Sequence, residues 1–225
     1  MTDCHTLLVS DIHIGSKICR ADKIIDLLKT ARYKTLIING DLFDSAKTHL
    51  FNEKHWQIVS IIGEIAKTRK VLMVRGNHGR ELDSVARNMG IEIHDDYEFT
   101  LGNKRFLCLH GDQFDPFVTH LPRITKAFTH AFYLIQELNG DNQKPSMAIK
   151  RFSKRILGMS SRRQQRLALH HAARRQAHVV ICSHTHLPHI DNKEDILFIN
   201  SGSFCDNPSS YVAIDQHGNS QLQHI

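Results

Sequence analysis

Five short polar phrases in this chain each follow an apolar, β-branched run directly. Their side chains are carboxylates, imidazoles and one amide, which are oxygen and nitrogen donors for divalent metal ions. Without thiolates, such donors suit Mn²⁺, Fe²⁺ or Zn²⁺ in sites with five or six ligands. The phrases are Asp11-Ile12-His13, Gly40-Asp41, Gly76-Asn77-His78, His110-Gly111-Asp112 and Ser183-His184-Thr185-His186.

The repetition of these phrases matters more than any one of them. A single Asp-x-His is also what turns and helix N-caps require. Five such phrases, each after an apolar run, instead favour a metal site with a carboxylate that bridges two cations. Two metals about 3.5–4 Å apart can hold a hydroxide for in-line attack on phosphorus. The pattern therefore indicates hydrolysis of a phosphoester or phosphoanhydride.

The apolar runs before the phrases predict buried strands that alternate with helices. Apolar residues recur at helical spacing at 22–28 and at 53–68, which predicts two helices. In the second of these helices, Trp56 is predicted to lie on the buried face. This alternation predicts an α/β fold whose sheet is covered on both faces, with ligands at the carboxyl ends of its strands. The predicted strands are 6–9, 35–38, 71–74, 106–109, 179–182, 196–199 and 211–214.

The order of the phrases resembles that of the calcineurin-like metallophosphoesterases, from Asp11 to His186. The resemblance implies a four-layer α/β/β/α sandwich with a helical insertion, and an enzyme with two divalent ions, most often Mn²⁺ with Fe²⁺ or Zn²⁺ as alternatives. It also implies roles for individual residues. Asp11, His13 and His186 would hold one metal, Asn77, His110 and His184 the other, with Asp41 bridging and His78 approaching the leaving group.

Two positions depart from the family pattern. Gly79 stands where the family usually has an Asp that orients the histidine before it, so His78 needs another partner, for which Glu81 and Asp83 are candidates. Ser183 stands where Gly is commoner, and as a small residue it should preserve the turn. Asp44 and Asp112 are expected to orient loops and imidazoles rather than to bind metal.

Residues 117–176 interrupt the strand–helix alternation and are interpreted as a helical insertion, or cap, within a single domain spanning 1–225. Two helical stretches are predicted, at 124–138 and 148–174. Between Phe117 and Arg166 the chain has ten Lys or Arg against two acids, whereas the rest carries 19 bases against 21 acids. This segment therefore supplies all of the excess positive charge of the chain.

The insertion and several phrases resemble one branch of the superfamily, the UDP-2,3-diacylglucosamine pyrophosphatase-like proteins. That resemblance implies cleavage of a nucleotide diphosphate-linked lipid sugar in lipid A synthesis, giving UMP and the acylated sugar 1-phosphate. Basic helices could contact the diphosphate and the surface of the inner membrane. The candidate substrate contacts are Arg80, Lys150, Arg151, Lys154 and Arg155, with Arg162, Arg163 and Arg166 as further anion contacts.

Two alternatives stay open. The basic segment also suits a phosphodiesterase or nuclease that acts on nucleotides or nucleic acid, and a scaffold without activity could retain the same fold. Five scattered cysteines without a Cys-x-x-Cys pair argue against a disulfide framework. The N-terminus lacks a secretory pattern. We therefore expect a cytoplasmic enzyme, with a peripheral membrane contact as a further expectation and no prediction of oligomeric state.

Overall fold

The computed structural model describes residues 2–116, 144–193 and 195–225, with residues 144–157 described by their backbone alone. In this part of the chain, eleven strands form two sheets. The first sheet has the order β11-β10-β1-β2-β3-β4 and the second the order β5-β6-β7-β9-β8. The strands are β1 Thr6–Val9, β2 Thr35–Asn39, β3 Lys70–Val74, β4 Glu92–His94, β5 Tyr97–Leu101, β6 Lys104–Cys108, β7 Val179–Cys182, β8 His189–Lys193, β9 Ile196–Asn200, β10 Ser210–Ile214 and β11 Ser220–His224.

The strands that precede the polar phrases are parallel within each sheet. β1, β2 and β3 pair in register, with Leu8 beside Ile37 and Ile37 beside Leu72. In the second sheet, β6, β7 and β9 are also parallel, with Leu107 beside Val180. Parallel strands end at the same edge of a sheet, so each sheet collects its polar phrases at one edge.

Four helices accompany the sheets in the described residues: α1 Ala21–Thr30, α2 Glu53–Ala66, α3 Asp83–Asn88 and α4 Lys144–Arg174. Asn52 caps α2, because its side chain accepts a hydrogen bond from the backbone N–H of His55. α4 contains Pro145 in its first turn, where the missing N–H costs no helical hydrogen bond. The second predicted helix is thus confirmed with an earlier start, whereas the stretch at 124–138 lies outside the described residues.

Three apolar cores define four layers. α1 and α2 cover the outer face of the first sheet, where Ile24 and Ile62 pack in the same cluster as Leu36. Leu8 and Ile37 of the first sheet meet Phe106, Val179 and Ile199 of the second between the two sheets. On the outer face of the second sheet, Ala168 and Ala172 of α4 share a cluster with Leu107 and Phe198. The predicted α/β/β/α arrangement is confirmed.

One core prediction is wrong. Trp56 was expected on the buried face of α2, but its side chain is 49% exposed. α2 instead buries His55, Ile58 and Ile62, so its buried face includes residue 55 rather than Trp56. His55 lies in the stripe because it completes the N-terminal cap: its Nδ1 accepts from the backbone N–H of Asn52. Among the described residues, no helix is both long and apolar enough to cross a membrane.

Candidate metal centre

The polar phrases of both sheets meet at one place. Asp11, Asp41, His110 and His184 each lie two residues beyond the end of a strand, namely β1, β2, β6 and β7. The face-to-face packing of the sheets brings these four strand ends together. We call Asp11, His13 and His186 the first donor group, and Asn77, His110 and His184 the second donor group.

The backbone at these positions is strained. Asp11, His13, Asp41, His184 and His186 have positive φ angles between 48° and 66°, although none is a glycine. Non-glycine residues in this region cost about 1–3 kcal/mol each and persist where the surrounding structure fixes them, often at functional sites. These backbone angles turn the chain sharply after each strand, so that the donor side chains converge on one site.

Asp41 lies between the two donor groups. Its Oδ2 atom is 3.6 Å from Nε2 of His13 and 3.4 Å from Nε2 of His110. Its Oδ1 atom accepts a hydrogen bond from the backbone N–H of His78 at 2.8 Å, which fixes the carboxylate. Because one oxygen faces a histidine of each group, this carboxylate has the position of a bridging ligand.

The other donors complete the two groups. In the first, His186 Nε2 is 3.2 Å from Asp11 Oδ1. In the second, His110 Nε2 is 3.3 Å from Asn77 Oδ1. The rings of His110 and His184 are 5.2 Å apart, and those of His13 and His186 are 5.8 Å apart. All seven residues predicted from the motifs are therefore brought to one site.

The glycines of two phrases make room for these side chains. A Cβ atom on Gly40 would be 1.9 Å from Nδ1 of His110, and one on Gly76 would be 2.0 Å from Oδ1 of Asp41. No real Cβ approaches so closely, so any larger residue would displace a donor. The Gly-Asp and Gly-Asn-His motifs thus contain glycine because a donor side chain occupies the space beside the backbone.

Each histidine of the first donor group uses one ring nitrogen for the site and the other for a carboxylate. Nδ1 of His13 lies 3.2 Å from Asp44 Oδ1, and Nδ1 of His186 lies 3.1 Å from Asp206 Oδ2. Metal-binding histidines usually have such an outer carboxylate, which orients the ring. Asp44 was predicted to orient an imidazole, whereas Asp206 was not identified from the sequence.

The second donor group has different supports. Nδ1 of His110 lies 3.1 Å from the backbone carbonyl of Asn39 and 3.0 Å from Ser183 Oγ. A proton on Nδ1 would be donated to that carbonyl, leaving Nε2 for a metal. Nε2 of His184 contacts Asp115 Oδ2 at 3.1 Å, which leaves Nδ1 as its other ring nitrogen. Asn39 and Asp115 are also residues that sequence reasoning did not identify.

Helix α4 reaches this second group. Ser160 Oγ donates to the same Asp115 oxygen at 3.1 Å. Gln164 is buried, donates from Nε2 to the backbone carbonyl of Ser183 at 2.9 Å, and accepts from Asn200 Nδ2 at 3.1 Å. The C-terminal half of α4 therefore holds the loop that carries His184.

The electrostatics of the site favour cations. Burial would raise the pKa of the Asp41 carboxyl, but the adjacent His110 and His13 hold it well below its usual value. Burial lowers the pKa of His110, but the adjacent Asp41 carboxylate outweighs this effect and raises the pKa to about 10. The same holds for His186: burial lowers its pKa, but the adjacent Asp11 carboxylate outweighs this effect and raises the pKa to about 10. The two buried carboxylates, Asp11 and Asp41, therefore stabilise positive charge at this site.

The donor set fits two divalent metal ions. Sets of carboxylate and imidazole atoms that could hold an ion include Asp11, His13 and His186, and also Asp11, Asp41 and His110. Oδ1 of Asp11 is buried and has no partner in hydrogen-bond geometry in the described part of the chain, although Nε2 of His186 lies 3.2 Å away. The two atoms are therefore placed to share a metal ion. Asp11 is shared between these two sets, and Asp41 faces a histidine of each donor group, which is an arrangement that suits a pair of metals.

His78 is exposed beside this site, and its ring is 5.0 Å from that of His13. The residue that orients it differs from both candidates proposed from the sequence. Nδ1 of His78 lies 3.2 Å from the backbone carbonyl of Asp44, while Asp83 binds Nε of Arg75 at 2.7 Å instead. A backbone carbonyl therefore replaces the carboxylate that Gly79 lacks.

The predicted substrate contacts are placed unevenly. Arg80 Nε donates to the Gly76 carbonyl at 2.6 Å, and its Nη2 lies 3.4 Å from Asp112 Oδ2. Its side chain is still 56% exposed, so the guanidinium is open beside Asn77 and His78. The remaining candidates lie in α4, but their side chains are outside the described residues; they are Lys150, Arg151, Lys154 and Arg155.

Comparison with known families identifies the class. The calcineurin-like phosphoesterase superfamily domain matches residues 5–218, nearly the whole chain, and this protein belongs to that superfamily. It is accordingly assigned to the metal-dependent hydrolases. No curated protein matches the chain.

Solved structures agree on the fold. An archaeal phosphodiesterase superposes with a TM-score of 0.53 at 16% identity, covering 98% of this chain and 99% of the other. Yfce, a phosphoesterase from E. coli, gives 0.50 at 20% identity with 98% coverage of both chains. AQ665 of Aquifex aeolicus, a protein of unknown function, gives 0.50 at 16%, covering 89% and 90%. At these identities the likeness establishes the fold alone.

Proposed function

We propose that this protein hydrolyses a phosphoanhydride or phosphodiester with two divalent metal ions held by the two donor groups. The observation that carries this proposal is the position of Asp41, whose Oδ2 faces His13 and His110 within 3.6 Å. Mn²⁺ is our choice of metal, because the donors are carboxylate, imidazole and amide groups without a thiolate. When bound, two such ions supply positive charge to the phosphoryl oxygens and activate water for attack.

The residues around the metals have separable roles in this proposal. Asp41 bridges, while Asp44, Asp206 and Asp115 keep three histidines in orientation. The Nδ1 contact of His78 with a carbonyl leaves its Nε2 to face the leaving group, where it can hold or donate a proton. Arg80 offers its exposed guanidinium to a phosphoryl oxygen, for which the fork of donors is suited.

For the substrate we propose a UDP-2,3-diacylglucosamine-type molecule, cleaved to UMP and the acylated sugar 1-phosphate. Support comes from α4, whose sequence is strongly basic and whose C-terminal half contacts the metal centre. Its described end contacts the site through Ser160 and Gln164, and Nε of Arg163 donates to the Phe114 carbonyl at 3.2 Å. A helix anchored this way could present cations to a diphosphate and an apolar stripe to acyl chains, with a peripheral contact at the inner membrane.

The test compares substrates at equal metal loading. Purified protein with Mn²⁺ should release UMP from UDP-2,3-diacylglucosamine in detergent, faster than it cleaves oligonucleotides or a generic phosphodiester. Asp41→Asn and Asn77→Ala should abolish turnover of every substrate while leaving the fold intact by circular dichroism.

The outcomes separate the alternatives. Preferential cleavage of oligonucleotides would replace the lipid substrate with a nucleic acid. Full activity of either variant would overturn the two-metal mechanism. Absence of bound metal together with absence of any hydrolysis would indicate a scaffold that keeps the fold alone.

A further inference from the structure

An open cavity of about 240 Å³ adjoins the metal centre, and its described lining residues include none of the metal donors. Arg80 and Asp112 both line it. Arg80 follows the donor Asn77 by three residues, and Asp112 follows the donor His110 by two. Pockets that hold a whole drug-sized ligand enclose about 300–1,000 Å³, so this cavity fits one part of a substrate.

Two rings form part of the cavity wall. Phe114 and His171 both line the cavity, and their ring centroids are 6.3 Å apart at an interplanar angle of 65°. Phe114 is fixed in place, because its side chain packs against the core between α4 and the second sheet. Its carbonyl also accepts a hydrogen bond from Nε of Arg163 at 3.2 Å. Aromatic rings held in this way provide the stacking surface that a nucleobase uses.

His171 also offers polar atoms to the cavity. The side chain is half-buried, and its ring nitrogens have no hydrogen-bond partner in the described part of the chain. Burial, followed by the positive charge of Arg175, lowers the pKa of His171. The ring is therefore neutral at pH 7, with one N–H donor and one acceptor nitrogen. Such a ring can bind the polar edge of a base as well as its face.

The charge of the cavity favours a neutral group over a further phosphate. Its described lining residues include three aspartates against two arginines, and each of these arginines already contacts one of the aspartates. A neutral group that carries hydroxyls therefore fits this environment better than an anion does. The charged lining residues are Asp95, Asp96, Asp112, Arg75 and Arg80.

Asp96 is placed to accept a hydrogen bond from such a hydroxyl. Its Oδ2 accepts from Nη2 of Arg175 at 2.9 Å, which orients the carboxylate, while its Oδ1 has no partner among the described residues. The side chain is 34% exposed, so it is less screened than the neighbouring Asp95 at 83%. Hydrogen bonds from hydroxyls to carboxylates are strong, and dinucleotide-binding sites use a carboxylate for a ribose hydroxyl in this way.

We propose that this cavity holds the nucleoside of a nucleotide substrate. The base lies against Phe114 and His171, and a ribose hydroxyl donates to Asp96. This assignment rests on the proposed function, in which Arg80 contacts a phosphoryl oxygen. Since Arg80 also lines the cavity, the group attached to that phosphorus enters it.

The first experiment measures binding without turnover. The full chain, loaded with Mn²⁺, is titrated calorimetrically with UMP and with methyl phosphate, which lacks the nucleoside. The wild type should bind UMP at least about ten-fold more tightly than methyl phosphate. His171→Ala should lose most of this preference. The matched control is His170→Ala, at the exposed neighbouring position of α4, which should keep it.

The ribose contact is tested with 2′,3′-dideoxyuridine 5′-monophosphate in the same titration. The wild type should bind this probe more weakly than UMP, because the hydroxyl that donates to Asp96 is missing. Asp96→Ala should bind the two nucleotides equally. Asp191→Ala changes an aspartate that contacts α4 outside the described cavity lining, and it should retain the wild-type difference.

Turnover gives a separate measurement. Thymidine 5′-(p-nitrophenyl phosphate) and methyl p-nitrophenyl phosphate release the same chromophore, but only the first carries a nucleoside. Phe114→Leu keeps an apolar side chain against the core and removes the ring. Its kcat/KM should therefore fall about ten-fold for the thymidine substrate and stay unchanged for the methyl substrate. An equal fall for both substrates would contradict a role of the ring in nucleoside binding.

Two binding results would overturn the proposal. One is equal affinity of the wild type for UMP and methyl phosphate. The other is an equal loss of UMP affinity in His171→Ala and His170→Ala. Failure to hydrolyse either chromogenic substrate would instead contradict the proposed function, while the binding comparison still decides whether the cavity holds the nucleoside.

Discussion

The two donor groups of the metal centre are supported in different ways. The histidines of the first group contact Asp44 and Asp206, whose side chains are 33% and 53% exposed. The second group depends on the buried Asn39 and Ser183 and on Asp115, which is only 13% exposed and is bound by Ser160 of α4. The first group is therefore supported by partly exposed carboxylates on loops, whereas the second depends on buried groups and on helix α4.

This difference has an energetic consequence. Exposed carboxylates are screened by solvent and salt, so losing one costs little. Buried hydrogen bonds leave unsatisfied partners when they are broken, and that costs more. We expect the second metal to be the one whose affinity responds to changes in α4, which would connect substrate contact by the basic segment to metal binding.

The largest effect is expected at the residue that the two groups share. Asp41→Asn removes the bridging charge between His13 and His110. Loss of activity should exceed the roughly 10–100-fold that removal of an outer partner costs. Steady-state kinetics with saturating Mn²⁺ checks this, and retention of more than a tenth of the wild-type kcat would contradict the bridging role.

The next largest effect is expected at Asp115. Asp115→Asn removes the carboxylate that orients His184, so the affinity of one metal should fall about 10–100-fold while the other is retained. Isothermal titration with Mn²⁺ on chelator-treated protein resolves the two steps. Asp191→Asn is the matched control, because Asp191 also contacts α4, through Gln165 at 2.7 Å, but contacts none of the metal donors within the described ranges. Equal weakening of both metals would contradict the separation of the two groups.

A smaller effect is expected at Asp206. Asp206→Asn removes the outer partner of His186 at a more exposed position. The affinity of the first metal should therefore fall by about ten-fold. This loss is smaller than the one expected for the second metal in Asp115→Asn. The same titration compares the two variants directly. A larger loss in Asp206→Asn would reverse the proposed order of the supports.

The smallest effect on activity, but a measurable one on stability, is expected at Gln164. Gln164→Leu leaves the Ser183 carbonyl without this donor, and the free energy of unfolding should fall by about 1–3 kcal/mol. Urea denaturation measures it. Gln165→Leu on the next position of α4 removes only a partly exposed contact and should cost less than about 1 kcal/mol. Equal losses would show that α4 does not hold the loop.

The strands that the sequence predicts and those it misses fall into two classes. All seven predicted strands are present. The four missed ones, β4, β5, β8 and β11, are the outermost strands of the two described sheets. Interior strands are covered on both faces and show continuous apolar runs. Edge strands such as Ser220–His224, with the sequence SQLQH, are half exposed and polar. They therefore lack the apolar run from which a strand could be predicted.

The candidate site shows a similar division. The donors were predictable because each follows an apolar strand within a few residues, so each lies at the carboxyl edge of its own sheet, and the packing of the two sheets brings the edges together. Their supports come from far along the chain: Asp206 lies 20 residues from His186, and Asp115 lies 69 residues from His184. Such partners are set by the packing of loops and of α4, which no local pattern encodes.

The central claim is that one protein chain holds two metals on donor groups joined by Asp41. Metal content per chain, measured by elemental analysis after loading with Mn²⁺ and gel filtration, tests it most directly. We predict about two equivalents in the wild type, about one in Asp115→Asn and less than one in Asp41→Asn. A single equivalent in the wild type, or two equivalents retained in Asp41→Asn, would contradict the account.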